Sequence, residues 1–342
     1  MLKQSLFRPT SMRQRVRSPG GFTLVEILVV IAIIGVLIAL LLPAVLSARE
    51  SSRRIECANN ISQISKSILQ YEAANKGFPP MAIEWPGKQG VTVDNFDETN
   101  HGWFSITARY LGYDSWADLF DLTVRFPDIR NSAARRGALQ IKVHACPSDI
   151  GLRTCGFQMP YGGHTKGNYV VNAGNRTYGQ EYRGLPSPND VDLAFRGAPF
   201  VGGEDTPLHR ITDGLSTTLL MSENLVLRTD QGISTLSENV NSSGGQVFTG
   251  WNPPNSRNQD VIGWHWGSAA WFLEVGFTSN TMPVSAQTTD SRPTRLSARS
   301  RHKGGVNASH CDGSINFYAD TIAGPVWEAL SSARGASVEP QL

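Results

Sequence analysis

The chain has 342 residues, 40% hydrophobic and 18% charged, which is globular composition and excludes a wholly disordered chain. The formal net charge is +2, but Lys3, Arg8, Arg13, Arg15 and Arg17 crowd the first 21 residues without an acid. Beyond them Lys+Arg falls from 31 to 26 against 29 acids, a balance near −3, so charge gives no reason to expect nucleic acid as a partner.

From Phe22 to Leu42 only Thr23 and Glu26 are polar. A run of about 20 apolar residues is long enough to cross a bilayer as a helix. The basic segment ahead of it holds the N-terminal side in the cytoplasm, which puts the rest of the chain outside. A secretory signal is cut after its apolar stretch, behind a small-x-small triplet. Here the break Gly20-Gly21-Phe22 comes before that stretch. Glu26 is the anomaly, because a lone carboxylate in lipid costs several kcal/mol unless it is paired or neutralised.

The string Gly21-Phe22-Thr23-Leu24-Val25-Glu26 resembles the class III signal of type IV prepilins and pseudopilins. The resemblance implies cleavage between Gly21 and Phe22 by a prepilin peptidase/N-methyltransferase, which also methylates the new amine of Phe22. It implies further that this amine, on the same or a neighbouring subunit, pairs with Glu26 during assembly. The partners are then the membrane, that peptidase and other pseudopilin subunits. An ordinary anchor with a snorkelling Glu26 is the alternative. Pro43 breaks the helical hydrogen-bond pattern, and the resemblance reads it as a bend or a local melting.

Residues 47–76 keep a helical period. Cys57, Ile61, Ile64, Ile68 and Tyr71 recur at steps of 4, 3, 4 and 3, one face of a helix, with Arg49, Glu50, Arg53, Arg54, Glu56, Lys66 and Glu72 around the rest. Asn75-Lys76-Gly77, followed by Pro79-Pro80, is a helix stop. A helix over 22–76 would be roughly 80 Å long. The expected organisation is a leader at 1–21, a transmembrane helix at 22–45, its amphipathic continuation at 46–76 and an extracytoplasmic head at 77–342.

In the head, strand-like runs at Leu139–His144, Tyr169–Asn172, Thr218–Ser222, Val261–Trp266, Ala270–Val275 and Ile315–Tyr318 alternate with turn residues. The predicted fold class is α+β: the long helix packed on an antiparallel, loop-rich sheet, with insertions at 81–135 and 176–210. Asp213-Gly214 and Asp312-Gly313 read as turns before strands. The four cysteines, Cys57, Cys146, Cys155 and Cys311, form no C-x-x-C pair, which argues against zinc and redox motifs. Outside the cytoplasm a disulfide becomes available, and Cys146 with Cys155 is the expected pair. Free buried thiols are the alternative.

Leu42-Pro43-Ala44, Arg53-Arg54, Cys57-Ala58-Asn59-Asn60 and Phe78-Pro79-Pro80 narrow the resemblance. So do Arg210–Thr218 and the spacing from His302 through Gly304-Gly305 to Asp312-Gly313. Together they are similar to a bacterial family of prepilin-type proteins with a C-terminal His-X9-Asp-Gly motif. His302, Gly304, Gly305, Asp312 and Gly313 are that motif; a structural role is expected for them, with His302 bonded to backbone, rather than a catalytic or metal-binding one. No G-x-S-x-G, H-E-x-x-H, Walker A or EF-hand pattern is present, and the seven histidines lack ligand-like spacing. No catalytic residue, cofactor or metal is expected; calcium at Asp312 and Asp320, as in some pseudopilins, is the minor alternative. Trp264 and Trp266 would share one strand face, read as core or as a glycan-binding face. Two functional readings follow: a non-enzymatic pseudopilin-like structural subunit of a type IV pilus or type II secretion-like assembly, and a surface-tethered module that binds polysaccharide or another extracellular ligand.

Overall fold

The computed structural model describes residues 23–81, 101–123, 141–150, 166–176, 195–226, 247–258, 260–262, 284–286 and 296–335. Gly21, Phe22, Cys155, Trp264, Trp266 and the expected strand Ala270–Val275 lie outside them, as does most of 81–135 and 176–210. The chain divides into two compact units, Met1–Arg49 and Glu50–Leu342. Helix α1, Leu24–Asn75, contributes to both.

In the first unit the helix begins with a reciprocal cap. The Thr23 backbone N–H and hydroxyl both donate to Glu26 Oε2 at 2.8 Å, and the Glu26 N–H donates to Thr23 Oγ1 at 3.3 Å. This is the capping-box arrangement, which satisfies orphan donors of the first turn. From Leu24 to Leu46 the large apolar side chains are exposed, Leu24 at 75% and Leu40 at 71%. The stretch is long and apolar enough to cross a membrane. α1 runs on through Pro43, whose missing N–H leaves the Ala39 carbonyl without its intrahelical donor.

In the second unit the amphipathic period of α1 is realised. Cys57, Ile61, Ile64 and Ile68 are fully buried. The helix ends at Asn75, and Lys76 takes the left-handed conformation at φ 67°, where a helix commonly terminates.

The buried face packs against a five-stranded sheet of order β3-β1-β2-β6-β7. Its strands are β1 Tyr169–Asn172, β2 Leu219–Glu223, β3 Val247–Phe248, β6 Gly305–His310 and β7 Ile315–Ala319. A separate parallel pair joins β4 Asp260–Ile262 to β5 Val284–Ala286. The expectation of an antiparallel sheet is corrected: β1 pairs with β3 in parallel, and the remaining pairs of the large sheet are antiparallel. A parallel neighbour needs a long crossover, and β2 lies within the one between β1 and β3.

Both faces of the inner strands are covered, so β1 and β2 are buried throughout and open on the apolar runs Tyr169-Val170-Val171 and Leu219-Leu220-Met221, while β7 at the edge is partly exposed. Tyr169, Val171 and Leu220 pack with Ile61, Ile64, Trp103 and Phe104 on the α1 side. Val170, Leu219, Val306 and Ala308 pack with Trp327 of the last helix, α4 Gly324–Leu330. Short helices α2 Trp103–Thr107 and α3 Asp114–Ala117 add aromatic bulk to the α1 side. The expected strand at Leu139–His144 is corrected to a 3-10 turn over Lys142–His144.

β6 starts at a glycine for a steric reason. A Cβ on Gly305 would lie 2.0 Å from the Tyr318 carbonyl oxygen on paired β7. Near β4, Arg299 grips buried Asp260 with Nε and Nη2 at 3.0 and 2.9 Å, a two-pronged ion pair holding the approach to β6.

Two isoleucines on α1 separate packing from helix formation. Ile64 is fully buried and Ile55 is 60% exposed. Ile64→Ala is expected to lower head stability by about 2–5 kcal/mol. Ile55→Ala should stay within about 0.5 kcal/mol of the parent. Urea unfolding of both variants checks this, and equal losses would contradict the packed face.

Candidate functional site

The head's most unusual chemistry lies where three elements meet α1. His302 sits on the turn before β6 and is 3% exposed. Its Nδ1 lies 2.8 Å from Glu50 Oε1 on α1, and its Nε2 lies 3.2 Å from Glu223 Oε1 at the end of β2. With a carboxylate opposite each ring nitrogen, both nitrogens act as donors, as in an imidazolium. Burial works against that charge most strongly, but hydrogen bonding and charge from Glu223, then from Glu50, outweigh it and raise the pKa of His302.

Both carboxylates are held by other groups. The Asn307 backbone N–H donates to Glu223 Oε2 at 2.8 Å, and its side-chain amide donates to Oε1 at 3.0 Å. The Ser148 hydroxyl is shared between Glu50 Oε1 at 2.9 Å and Oε2 at 3.1 Å. Glu223 is 1% exposed and would be costly without a cationic partner.

A disulfide adjoins this triad. Cys57 of α1 is bonded to Cys146, with Cα atoms 5.2 Å apart, and Cys146 Sγ lies 3.6 Å from His302 Nε2. The expected Cys146–Cys155 pairing is therefore corrected. Partner choice follows the fold: the buried face of α1 carries Cys57 against the 141–150 segment. Cross-linking positions 89 apart in the sequence removes about 4–5 kcal/mol of unfolded-state freedom in the chain-entropy picture. Cys311 is a free buried thiol, and burial pushes its pKa up. One ligand atom from each of Cys57, Cys146, Glu223 and His302 lies within 4.8 Å of the others.

The remaining motif residues serve the backbone. Gly304 and Gly313 have φ of 89° and 86°, in the left-handed region that glycine tolerates. Asp312 Oδ1 accepts from the Ser314 N–H at 2.9 Å and its hydroxyl at 2.7 Å, closing the β6–β7 turn. His302 and Asp312 are thus not brought together as a pair. His302 also departs from the expected backbone bond, since its ring faces carboxylates. Asp320 accepts from the Asn255 amide at 2.7 Å, and among the described residues no group of three ligating side chains forms around Asp312 and Asp320. Of the described tryptophans, Trp103, Trp116 and Trp327 are buried, and Trp251 lies under the Arg176 guanidinium.

Sequence reading missed Glu50 and Glu223. Glu50 reads as one more charge on the polar face of α1. Glu223 carried a usable signal, because an acid closing the run Leu219-Leu220-Met221-Ser222 is an acid at the end of a buried strand.

A capped N-terminal helix with an exposed apolar stretch, continuing into a mixed-sheet head, defines a pilin-like α+β protein. Residues 46–324 match the family described as "Protein of unknown function (DUF1559)", and the chain belongs to that family. Residues 17–42 match the prokaryotic N-terminal methylation motif. The chain is similar to type II secretion system core protein G of Pseudomonas aeruginosa, 35% identical over 63 residues, or 18% of this chain and 44% of that protein. It is also similar to the protein of that name from Pectobacterium carotovorum subsp. carotovorum, 33% identical over 76 residues, or 22% of this chain and 46% of the relative. The chain thus spans less than half the length of these curated relatives. No solved structure matches it.

The His302 clamp has a pH signature. A raised folded pKa means that its stabilisation is complete below the ordinary histidine value of about 6.5 and is lost as pH rises through the folded value. The disulfide-bonded head should therefore unfold at lower denaturant as pH rises from mildly acidic to alkaline. His302→Gln should cost about 3–5 kcal/mol at mildly acidic pH, because Glu223 loses its cation, and should flatten that dependence. A wild-type profile as flat as that of the variant would contradict the clamp.

Proposed function

We propose that this chain is a membrane-anchored, pseudopilin-like structural subunit without enzymatic activity, acting in a type II secretion-like or type IV pilus assembly. The observation that carries the reading is the methylation-motif match over 17–42, continuous with a helix whose apolar side chains are uncovered within the chain. In this reading a prepilin peptidase cuts between Gly21 and Phe22 and methylates the Phe22 amine. The basic residues before the cut keep that side cytoplasmic and place the head on the outer side of the inner membrane. The exposed α1 stretch lies in lipid before assembly and against other pseudopilin subunits afterwards.

Glu26 has two states in this reading. In the lone subunit its carboxylate is satisfied by Thr23. In an assembly it is exchanged onto the Phe22 amine of a neighbour, a charged partner that a nonpolar surrounding strengthens.

Mass spectrometry of membrane-extracted protein should give a chain beginning at Phe22 and carrying one extra methyl group. A chain beginning at Met1, or cut after Ser47, would sink the processing step. Glu26→Leu should stay cleaved and in the membrane, because it removes a charge that lipid disfavours, while crosslinked oligomers at equal membrane level should fall. Glu26→Gln keeps an oxygen for the Thr23 cap but no charge. It should fail like Leu if the amine pairing drives assembly and recover if the cap alone matters. Unchanged oligomers in both variants would favour the surface-tethered binding module instead.

A further inference from the structure

We propose that the head, when Cys57 and Cys146 are thiols rather than a disulfide, binds one zinc ion through Cys57 Sγ, Cys146 Sγ, His302 Nε2 and a Glu223 carboxylate oxygen. These four side chains come from α1, the 141–150 segment, the turn before β6 and the end of β2, and all four are buried. A tetrahedral zinc with bonds of about 2.0–2.3 Å needs ligand atoms about 3.3–3.8 Å apart. Cys146 Sγ to His302 Nε2 is already 3.6 Å and His302 Nε2 to Glu223 Oε1 is 3.2 Å, with the whole set inside 4.8 Å. The sulfurs are closer than a metal requires only because they are bonded to each other; as thiolates they need a small rotamer opening.

The surroundings resemble those that orient a metal ligand. Glu50 takes His302 Nδ1 at 2.8 Å, which turns Nε2 toward the cysteines, and Ser148 holds Glu50 in turn. A carboxylate on the far nitrogen of a ligating histidine fixes its tautomer and raises its basicity. Asn307 steadies Glu223 through its backbone N–H to Oε2 and its side-chain amide to Oε1, and Oε1 is also the oxygen that faces His302 Nε2. Two thiolates and an imidazole favour zinc over the harder magnesium and calcium. On binding, the two thiols and the imidazolium each release one proton, and the ion supplies the positive charge that Glu223 otherwise takes from His302. The thiol form is the one in which the chain is synthesised, so no electron transfer is involved, and the ion would join the same elements that the disulfide joins.

The test uses the full-length protein in detergent, reduced with a phosphine under anaerobic conditions, stripped with a chelator and titrated with Co²⁺ as a spectroscopic stand-in. One cobalt per chain is expected, with the intense visible bands of a tetrahedral site and thiolate-to-cobalt charge transfer in the near ultraviolet, both abolished by one equivalent of Zn²⁺. The disulfide-bonded protein should show neither. The doubly substituted Cys155→Ser, Cys311→Ser chain should retain the spectrum, Cys146→Ser should roughly halve the charge-transfer intensity by removing one of two thiolates, and the Cys57→Ser, Cys146→Ser chain should lose the band. Glu50→Gln, which touches no metal, should weaken zinc binding about 10–100-fold. Circular dichroism runs alongside: if the thiol form is unfolded, cobalt should restore its folded spectrum at one equivalent. A thiol form, folded or not, that takes up no stoichiometric cobalt overturns the proposal, as does a charge-transfer band that survives replacement of both Cys57 and Cys146 by Ser.

Discussion

The second unit depends on how one buried carboxylate is neutralised. Glu223 closes β2, the strand between β1 and β6, where water is excluded from both faces of the sheet. It accepts the Asn307 backbone N–H across the β2–β6 pair, so removing the acid would also unsatisfy a strand. Its cation comes from His302, and His302 is positioned by the turn that Gly304 and Gly305 make possible. Glu50 completes the chain of charge from α1. An ion pair of this depth is weak support for stability in itself, since desolvation offsets most of the attraction. What it gives is uniqueness: other registers of β6 on β2, or of α1 on the sheet, leave a charge without a partner.

The disulfide acts on the same junction by a different physics. Cys57 lies about two turns along α1 from Glu50, and Cys146 lies two residues before Ser148, the residue that donates to Glu50. The covalent link narrows the unfolded ensemble, and the ionic link discriminates among folded arrangements. Together they fix α1 to the sheet, the disulfide from the start of the buried stripe that continues through Ile61, Ile64 and Ile68 and the ion pair from Glu50 outside that stripe.

What was legible in the sequence follows from what is local. The apolar run after Phe22 and the stripe from Cys57 to Ile68 declare themselves through composition and period, and the helix stop at Asn75 through Lys76 and Gly77. β1, β2 and β7 were found because apolar or β-prone residues cluster between turn signals. β6 was hidden: Gly305-Val306-Asn307-Ala308-Ser309-His310 is small and polar, and it is a strand because β2 and β7 flank it, not because of propensity. The β1–β3 parallel pairing and the Cys57–Cys146 bond are long-range, and spacing carries no information about either. The same holds for most of the site: His302 stood out by motif and Glu223 offered a signal as an acid ending an apolar run, while Glu50 acquires meaning only once the fold places it on a ring nitrogen of His302.

Glu26 and Glu223 present one physical problem with two solutions. Glu223 is a buried carboxylate, and in the membrane-anchored reading proposed above Glu26 is one placed in lipid; each is held by a neighbour the chain itself supplies. For Glu223 the neighbour is a cation from a distant segment, and the result is a permanent part of the core. For Glu26 it is Thr23, three residues away, through neutral donors that any first turn could offer. Neutral hydrogen bonds compensate a carboxylate less well than a cation does. The first arrangement is therefore complete within one chain, whereas in the proposed assembly the second would still gain from an incoming ammonium group such as the Phe22 amine of a neighbouring subunit.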